Sequence, residues 1–373
     1  MQLRPVWAEV DLGAIRHNAS VLARLVKPAA LCAVVKADGY GHGAVPVAKA
    51  AIEGGATWLG VALVEEAEEL RAAGVDAPVL LLSEPPLDGM AAVVALGLRP
   101  TIYTAAALEA AAAAARADAP LPIHVKVDTG MHRVGADAGD AVKLARAAAE
   151  RPELLLEGFW THLAVADEPG NQFTAEQLTR FRAVVDELAA AGVHPPVLHA
   201  CNSAGALTWP PARHHLVRCG IALYGLAPSL ELEGCADLRP AMSLEAKVSL
   251  VKRVGAGEGV SYGLRYAPSR ETTIATVPIG YADGLTRRLG HIGGEVLIGG
   301  RRRPIAGTVT MDQILVDCGD DIGDNTVAAG DEVVLLGRQG DEEITAWDWA
   351  RRLDTIAYEV VCGIGPRVPR VYT

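Results

Sequence analysis

The sequence predicts an α/β protein with an N-terminal (β/α)8 TIM-like barrel and a C-terminal all-β domain. From residue 31 to about residue 225, short apolar runs alternate with amphipathic, alanine-rich stretches, and there are eight such runs. Regular alternation of strand and helix indicates a parallel sheet, and eight strands suit a closed barrel. After about Pro228 the helical pattern stops, and a chain of 373 residues is long enough for two domains.

Eight apolar runs supply the predicted barrel strands, at residues 31–35, 58–63, 79–82, 100–103, 123–127, 156–162, 197–200 and 216–223. Helical patterns lie between them, at residues 44–53, 65–73, 87–95, 105–117, 138–150 and 174–191. An open doubly wound sheet is the alternative, but it needs a G-x-G-x-x-G fingerprint after its first strand. The segment from Lys36 to Gly43 does not match that fingerprint.

The C-terminal part shows β-like runs separated by Gly and Pro turns. They lie at residues 246–251, 272–278, 295–298, 314–316 and 332–336, with one helical segment near 347–353. The N-terminal run 6–10 precedes the barrel, and we expect it to pair into this β domain. The predicted domains are therefore a barrel of residues 11–228 and a β-rich domain of residues 1–10 plus 229–373.

Composition argues against several classes of partner. The formal net charge of −11 repels nucleic acid and anionic membrane surfaces. Arg301, Arg302 and Arg303 form the one basic run, for which we expect a solvated turn. Six cysteines without C-x-x-C spacing indicate neither a disulfide framework nor a zinc site. The N-terminus lacks the apolar core of a signal peptide, so we expect a cytoplasmic protein without a bound metal.

Polar and cationic residues follow the predicted barrel strands, where barrel active sites lie. They are Lys36, Tyr103, Lys126 with Asp128, His162, Asn202 with Ser203, and Arg218 with Gly220 and Ile221. Turn residues alone would suffice for a structural barrel. The collection is polar and rich in cations, and it therefore favours a functional site.

Lys36 follows a run suited to a buried strand. Taken alone, Lys36 is explained without any function, because a lysine at the end of a strand can extend its ammonium group into water. The glycines at 39, 41 and 43 allow the backbone to approach a ligand, and Tyr40 offers a hydroxyl to a phosphate. This context favours a lysine that forms a Schiff base.

Ser203, Gly220 and Ile221 follow the seventh and eighth predicted strands, whose loops often bind phosphate in barrels. A helix cap and a tight turn would explain them separately, but their coincidence favours a phosphate. Arg218 cannot lose its proton and must face an acceptor. The pyridine nitrogen of pyridoxal phosphate is such an acceptor. An arginine there leaves the ring nitrogen unprotonated, which weakens the ring as an electron sink and favours racemisation without transamination.

Ten segments in order resemble the alanine racemase family, which is pyridoxal-phosphate-dependent and of fold type III. They are residues 7–12, 33–43, 126–131, 161–164, 202–203, 218–221, 260–263, 278–284, 311–313 and 358–360. The resemblance covers nearly the whole chain. It implies an isomerase that interconverts L-alanine and D-alanine and supplies D-alanine for peptidoglycan.

The resemblance also implies roles for individual residues. Lys36 would carry the cofactor and act as the base on one face of the substrate α-carbon. Tyr262 would act on the other face, contributed by the partner subunit of a homodimer with shared active sites. Inverting a stereocentre requires such a pair, because one proton leaves from one side and another arrives from the opposite side.

Further roles carry over position by position. Tyr40, Ser203, Gly220, Ile221 and Tyr358 would hold the phosphate, and His162 would hydrogen-bond to Arg218. Arg133 would contact the cofactor and the substrate carboxylate, and Tyr281 and the backbone of Met311 would complete carboxylate recognition. Lys126 is expected to point into the barrel and to be carbamylated, the alternative being a surface pair with Asp128. The family often has Gly where this chain has His132.

Three alternatives remain open at this point. One is a pyridoxal-phosphate decarboxylase on the same barrel, although such enzymes place a glutamate where this chain has Arg218. Another is a non-catalytic carrier of the cofactor, against which the long β domain argues. The third is a racemase of serine or of a basic amino acid, since pocket size near Tyr358 decides the substrate.

Overall fold

This computed structural model describes residues 3–320 and 326–373. The chain forms two compact units. The barrel unit is Leu12–Pro240, and the β unit is Met1–Asp11 together with Ala241–Thr373. Residues 229–240, which the sequence assigned to the β-rich domain, belong to the barrel unit. Within the described residues, none of the helices is long and apolar enough to cross a membrane.

The β unit opens the chain with strand β1 (Val6–Val10), and the barrel unit follows. Its strands are β2 (Ala30–Val34), β3 (Trp58–Val61), β4 (Val79–Leu81), β5 (Thr101–Ile102), β6 (Leu121–Lys126), β7 (Leu154–Trp160), β8 (Val197–His199) and β9 (Leu216–Cys219). Its helices are α1 (Leu12–Leu25), α2 (Lys36–Tyr40), α3 (Ala44–Glu53), α4 (Val64–Ala72), α5 (Met90–Ala95), α6 (Ala105–Ala114), α7 (Ala138–Ala149), α8 (Phe173–Ala190) and α9 (Ser203–Thr208).

The eight strands of the barrel unit close on themselves. Parallel pairing gives the orders β4-β3-β2-β9 and β5-β6-β7-β8. The two groups join where the Leu81 amide donates to the Arg99 carbonyl at 2.9 Å, and where the His215 amide donates to the Leu198 carbonyl at 3.0 Å. The predicted barrel is confirmed, and an open doubly wound sheet is excluded.

Burial explains why the apolar runs form this sheet. Val79–Leu81 is buried throughout, as are four of the five residues of Ala30–Val34. Parallel strands covered by helices on one side and by the barrel core on the other are expected to be continuously apolar. Helices α1, α2 and α9 were not predicted. Helix α1 nevertheless buries Ile15, Ala19 and Leu22, which have the spacing of one helical face.

The described part of the β unit contains two α-helices and mostly antiparallel strands, the exception being β18, which pairs parallel to β1. Its further strands are β10 (Met242–Lys247), β11 (Leu250–Val254), β12 (Thr272–Val277), β13 (Glu295–Ile298), β14 (Arg301–Pro304), β15 (Ile314–Gly319), β16 (Glu332–Gln339), β17 (Glu342–Ile344) and β18 (Arg370–Tyr372). One sheet has the order β14-β13-β16-β10-β1-β18, with β17 on β16, and another has the order β11-β12-β15. The N-terminal run joins the unit as expected, since Val6 pairs with Ala246.

Three details of the predicted β domain were wrong. The run 246–251 is divided between β10 and β11, which belong to different sheets: the Val248 amide donates to the Asp331 carbonyl, whereas the Ser249 amide donates to the Thr276 carbonyl of β12. The three arginines from 301 to 303 form a paired strand and not a turn. Arg302 is neutralised there by Glu295 and Glu342, at 3.3 and 3.0 Å. A second helix, α11 (Ala357–Cys362), follows α10 (Ala346–Leu353).

Candidate active site

Lys36 stands at the end of β2, directly before a left-handed turn. Val35 is fully buried and Lys36 is partly exposed. The next three residues have φ values of 53°, 50° and 59°, in the left-handed region that non-glycine residues avoid. Surrounding contacts hold this backbone: the Asp38 carboxylate accepts from the Ala44 amide at 2.8 Å, and Glu66 accepts from the Ala37 amide at 2.6 Å. A strained segment stabilised by its surroundings is common at functional sites.

Tyr40, Ser203 and Gly220 lie together beside this turn. The Gly220 amide donates to the Ser203 hydroxyl at 2.9 Å, and the Ala222 amide does so at 3.4 Å. A Cβ atom on Gly220 would lie 2.3 Å from the Tyr40 hydroxyl oxygen, so only glycine permits this approach. Tyr40 is held by stacking on Tyr224, with ring centroids 4.8 Å apart. The result is a cradle of hydroxyls and backbone amides that suits a phosphate group.

Arg218 is buried on β9, where three groups accept hydrogen bonds from its guanidinium at 3.0 Å or less. They are His199 Nδ1 at 2.7 Å and the carbonyls of Thr161 and Ala200 at 3.0 Å each. His162 Nδ1, the expected partner, lies farther away, at 3.4 Å. Burial lowers the pKa of Arg218 to about 10, so the side chain stays a cation at neutral pH.

Lys126 and His162 share this cationic environment. Lys126 is only 3% exposed, so the alternative of a surface pair with Asp128 is excluded. Burial, followed by the charges of Arg218 and Arg133, lowers the pKa of Lys126 to about 7. Burial, followed by the charges of Arg218, Lys126, Arg133 and Lys36, holds the pKa of His162 well below its ordinary value. Four cationic side chains therefore act on one neutral imidazole, and the site attracts anions.

Arg133 is exposed on the loop after β6. The preceding residue, His132, has a φ of 55°, which glycine would adopt without strain. Asp128 holds this turn by accepting from the amides of Gly130 and His132, at 2.8 and 3.2 Å. Its second carboxylate oxygen lies 3.4 Å from His132 Nδ1. His132 thus puts an ionisable ring next to Arg133 on a strained backbone.

The site residues expected from the β unit fall into one pocket, apart from Tyr358. Tyr262, Tyr281 and Met311 line an open pocket of about 760 Å³, with Thr308 and Gln313 among the other lining residues. In the single chain their exposed fractions are 73%, 42% and 52%. The Tyr262 carbonyl accepts from the Thr308 hydroxyl at 2.9 Å, which anchors its backbone. Tyr358 lies on α11 and is partly buried.

Several residues of the barrel site were not predicted. His199 and His124 are fully buried, and Trp160 lies with Arg218 at 4.4 Å and Lys126 at 4.3 Å from its ring centroid. Sheet register was the missing information, because it sets Lys126 beside Trp160 and Trp160 beside His199. Asn202, and not Ser203, caps α9, since its side chain accepts from the Gly205 amide at 3.0 Å.

Comparison with known proteins covers both units. The family model described as alanine racemase, N-terminal domain, matches residues 10–228, and that described as alanine racemase, C-terminal domain, matches residues 241–372. An alanine racemase of Symbiobacterium thermophilum is 50% identical over 99% of this chain and 97% of its own length. One from Thermobifida fusca is 49% identical over 98% of this chain and 97% of its own.

Solved structures agree with this comparison. The crystal structure of alanine racemase from D-cycloserine-producing Streptomyces lavendulae is similar with a TM-score of 0.93 and 44% identity, covering 100% of this chain and 98% of that one. That of the E. faecalis alanine racemase gives a TM-score of 0.94 and 41% identity, covering 99% and 98%. The full-length match, together with the barrel and the cationic site, shows that this chain belongs to the alanine racemase family.

Proposed function

We propose that this protein interconverts L-alanine and D-alanine, using pyridoxal 5'-phosphate carried on Lys36. The observation that supports this most strongly is the buried Arg218 among other cations, close to the Ser203–Gly220 cradle. The arrangement suits a ligand that has a phosphate at one end and a ring nitrogen acceptor at the other. D-Alanine for peptidoglycan would be the product used by the cell.

Residues of the barrel unit offer groups for the cofactor, and residues of the β unit add further contacts. Tyr40, Ser203, Gly220 and Ile221 would hold the phosphate, and Arg218 would donate to the ring nitrogen. Tyr358 would add a phosphate contact, and Arg133 would contact the phenolic oxygen and the substrate carboxylate. Tyr281 and the Met311 amide would also bind that carboxylate. When bound, pyridoxal phosphate withdraws electrons from the substrate α-carbon and makes its hydrogen acidic.

The protein's own residues would then move two protons. The Lys36 amine takes the α-hydrogen from one side, and the Tyr262 hydroxyl supplies a proton from the other side. Tyrosine has a reference pKa of about 10, so it needs nearby positive charge to work near neutral pH. Arg218, through its contact with His162, would supply that charge.

Arg218 also supports racemisation over decarboxylation. With a pKa of about 10 it keeps its proton at neutral pH, so it donates a hydrogen bond to the ring nitrogen without protonating it. The competing decarboxylases place a glutamate at this position, where this chain has Arg218. The arginine limits electron withdrawal, and misplaced protonation is disfavoured.

We further propose a homodimer in which each active site takes Tyr262 from the partner subunit. Support comes from the exposure of Tyr262, Leu264 and Met311, which are 73%, 68% and 52% exposed in the single chain. Large apolar side chains exposed together mark interaction surfaces. Carbamylation of Lys126 belongs to the same proposal, because an amine with a pKa of about 7 is partly neutral and nucleophilic at neutral pH.

Reconstitution with pyridoxal phosphate tests cofactor attachment and reaction type together. We expect the loaded wild type to absorb visible light, and borohydride to abolish that band and leave the cofactor covalently bound. Lys36→Ala should show neither effect, whereas Lys49→Ala, on the exposed side of α3, should behave as wild type. Incubation with L-alanine in D₂O should exchange the α-hydrogen and abolish optical rotation.

Three results would contradict the proposal. Release of CO₂ from the amino acid would indicate a decarboxylase. Binding of the cofactor with no α-hydrogen exchange from any amino acid would indicate a carrier. Faster exchange with serine, lysine or arginine than with alanine would keep the reaction and change the substrate.

A further inference from the structure

A row of hydrogen-bonded side chains leads from Arg218 into the barrel core. Arg218 Nη1 lies 2.7 Å from His199 Nδ1, and His199 Nε2 lies 2.9 Å from His124 Nδ1. His124 Nε2 then lies 3.1 Å from a carboxylate oxygen of Glu157. Both histidines are fully buried, and the Glu157 side chain is 18% exposed. We call these four residues the Arg218–Glu157 chain.

The direction of every hydrogen bond in this chain follows from counting protons. A guanidinium only donates, so His199 Nδ1 must accept and carries no proton. The His199 proton is therefore on Nε2 and is donated to His124 Nδ1. By the same argument the His124 proton is on Nε2 and is donated to the Glu157 carboxylate. All three bonds point from the cation to the anion, and both imidazoles are neutral.

The surrounding charges agree with this assignment. Burial, followed by the charge of Arg218, lowers the pKa of His199, and burial lowers the pKa of His124. Burial opposes ionisation of Glu157, but the hydrogen bond from His124 and the charge of Arg99 hold its pKa below the ordinary value. The two ends are thus charged and the middle is neutral. A buried row of polar side chains in which every donor has an acceptor holds those side chains in one arrangement.

The barrel backbone makes room for this chain at Gly158. A Cβ atom there would lie 2.1 Å from His124 Nδ1, so any other residue would displace the imidazole. The pairing of β6 with β7 also shifts register between Ile123 and His124. Glycine weakens a strand interior and often marks a close approach. The local backbone is therefore built around the His124 ring.

Aromatic side chains hold both rings in place. Trp160 stacks on His199 with centroids 5.2 Å apart and an interplanar angle of 10°. Trp58 meets the His124 ring edge-on at 5.6 Å. Arg99 lies 3.5 Å from Glu157 at the far end. Neither histidine can rotate without losing an aromatic contact and a hydrogen bond together.

We propose that His199, His124 and Glu157 are positioning residues that orient the Arg218 guanidinium and couple it to a carboxylate. This rests on the proposed function only in assigning the cofactor ring nitrogen as the group that Arg218 addresses. His199 is the residue in contact with Arg218. His124 and Glu157 act through it, since they hold its proton on Nε2 and leave Nδ1 bare.

The tautomers can be measured in the wild-type holoenzyme by ¹⁵N NMR with labelled histidine. We expect His124 and His199 to carry a proton on Nε2 and none on Nδ1 at pH 7. Signals are assigned by their loss in His124→Asn and His199→Asn. A proton on Nδ1 of either ring, or a doubly protonated ring, would overturn the proposal even if the enzyme racemises alanine normally.

Two substitutions at His199 separate orientation of Arg218 from packing. Phe keeps a ring to stack on Trp160 and removes the acceptor, whereas Asn removes the ring and keeps an oxygen near the Nδ1 position. We expect kcat to fall about tenfold or more in His199→Phe and about threefold or less in His199→Asn, because an unpaired buried donor costs more than a lost stacking contact. The reverse order would show that His199 serves packing alone.

Glu157→Gln tests the distal charge, with Glu150→Gln on the exposed end of α7 as the matched control. The amide oxygen still accepts from His124, so the NMR tautomers should persist while kcat falls about threefold to tenfold. Unchanged kcat would show that the carboxylate does not contribute. If the wild type forms no covalent cofactor adduct, the proposed function fails, but the same NMR measurement on the protein as purified still tests the tautomers of His124 and His199.

Discussion

Lys126 is a buried amine surrounded by positive charge. It lies 4.3 Å from the Trp160 ring centroid, and burial with the charges of Arg218 and Arg133 lowers its pKa to about 7. An unfolded lysine has a pKa of about 10.5. Between these two pH values the folded state binds fewer protons than the unfolded state. The contribution of Lys126 to the free energy of unfolding therefore increases as the pH rises from 7 towards 10.5.

Replacement of Lys126 by Met should stabilise the protein at neutral pH. In CO₂-free buffer we expect a gain of about 1–3 kcal/mol at pH 7, because the cost of a buried charge is removed. The gain should shrink as the pH approaches 10. Urea unfolding at several pH values measures this, with Lys143→Met on the surface of α7 as control. A gain that does not depend on pH would contradict the lowered pKa.

The phenol of Tyr262 provides the second prediction at this scale. Tyr262→Phe should keep the cofactor and lose racemisation in both directions by about 10²–10⁴-fold, the usual contribution of a general acid or base. Exchange of the α-hydrogen in D₂O should survive for one enantiomer alone, since Lys36 still reaches its side of the carbon. NMR of each enantiomer measures this. Surviving exchange of both enantiomers would place another base opposite Lys36.

Tyr372→Phe is the matched control, because Tyr372 is a partly exposed tyrosine of the same unit, 41% exposed. It should racemise alanine as the wild type does. A comparable loss there would mean that removal of a phenol from the β unit acts through folding.

At the scale of the element, α2 contains a left-handed turn, whereas the other barrel helices are right-handed. Ala37 has φ and ψ of 53° and 52°, a conformation that costs an L-residue about 1–2 kcal/mol relative to the right-handed helix. Contacts from Asp38 and Glu66 to neighbouring amides hold it in place. We infer that this turn fixes the orientation of the backbone at Lys36. The strained conformation of the turn makes the folded protein less stable.

Ala37→Gly should therefore stabilise the protein by about 1 kcal/mol, since glycine adopts a positive φ without strain. The same change at Ala183, an exposed residue inside α8, should destabilise by a similar amount because that helix is right-handed. Thermal unfolding of the two variants measures the contrast. Equal losses in both would contradict a strained turn at Ala37.

Most elements of the barrel were predictable because each depends on a local pattern. Helix α3 has the predicted bounds, residues 44–53, and α8 begins and ends one residue early. The short helices α9 and α11 were missed, since six residues hold too few turns to show a period. The strand of Arg301–Pro304 was missed because three cations look solvated until Glu295 and Glu342 are placed beside them.

At the scale of the whole molecule, the shared active site is testable by subunit exchange. Lys36→Ala and Tyr262→Phe should each be inactive as pure proteins. If every site combines Lys36 of one subunit with the tyrosine of its partner, mixed dimers regain one intact site. Random mixing should then restore about a quarter of wild-type activity, because half of the dimers are mixed and each has one working site of two.

Reassociation from dilute or mildly denatured protein, followed by a racemisation assay, makes this measurement. Mixing Lys36→Ala with the double variant Lys36→Ala/Tyr262→Phe is the control and should restore nothing. Absence of activity in verified mixed dimers of the first pair would place both residues of a site in one chain.

The sequence by itself determined the barrel, the joining of the N-terminal strand to the β unit, and the candidate residues at the strand ends. Hydrophobic periodicity and the carboxyl-edge rule depend on neighbours along the chain, so Lys36, Ser203 and Arg218 could be selected without coordinates. Only the tertiary structure decided that His199, His124 and Glu157 form one row, and that Lys126 shares Trp160 with Arg218. These side chains come from different strands, and their meeting depends on register and on the room that Gly158 leaves, which no local pattern encodes.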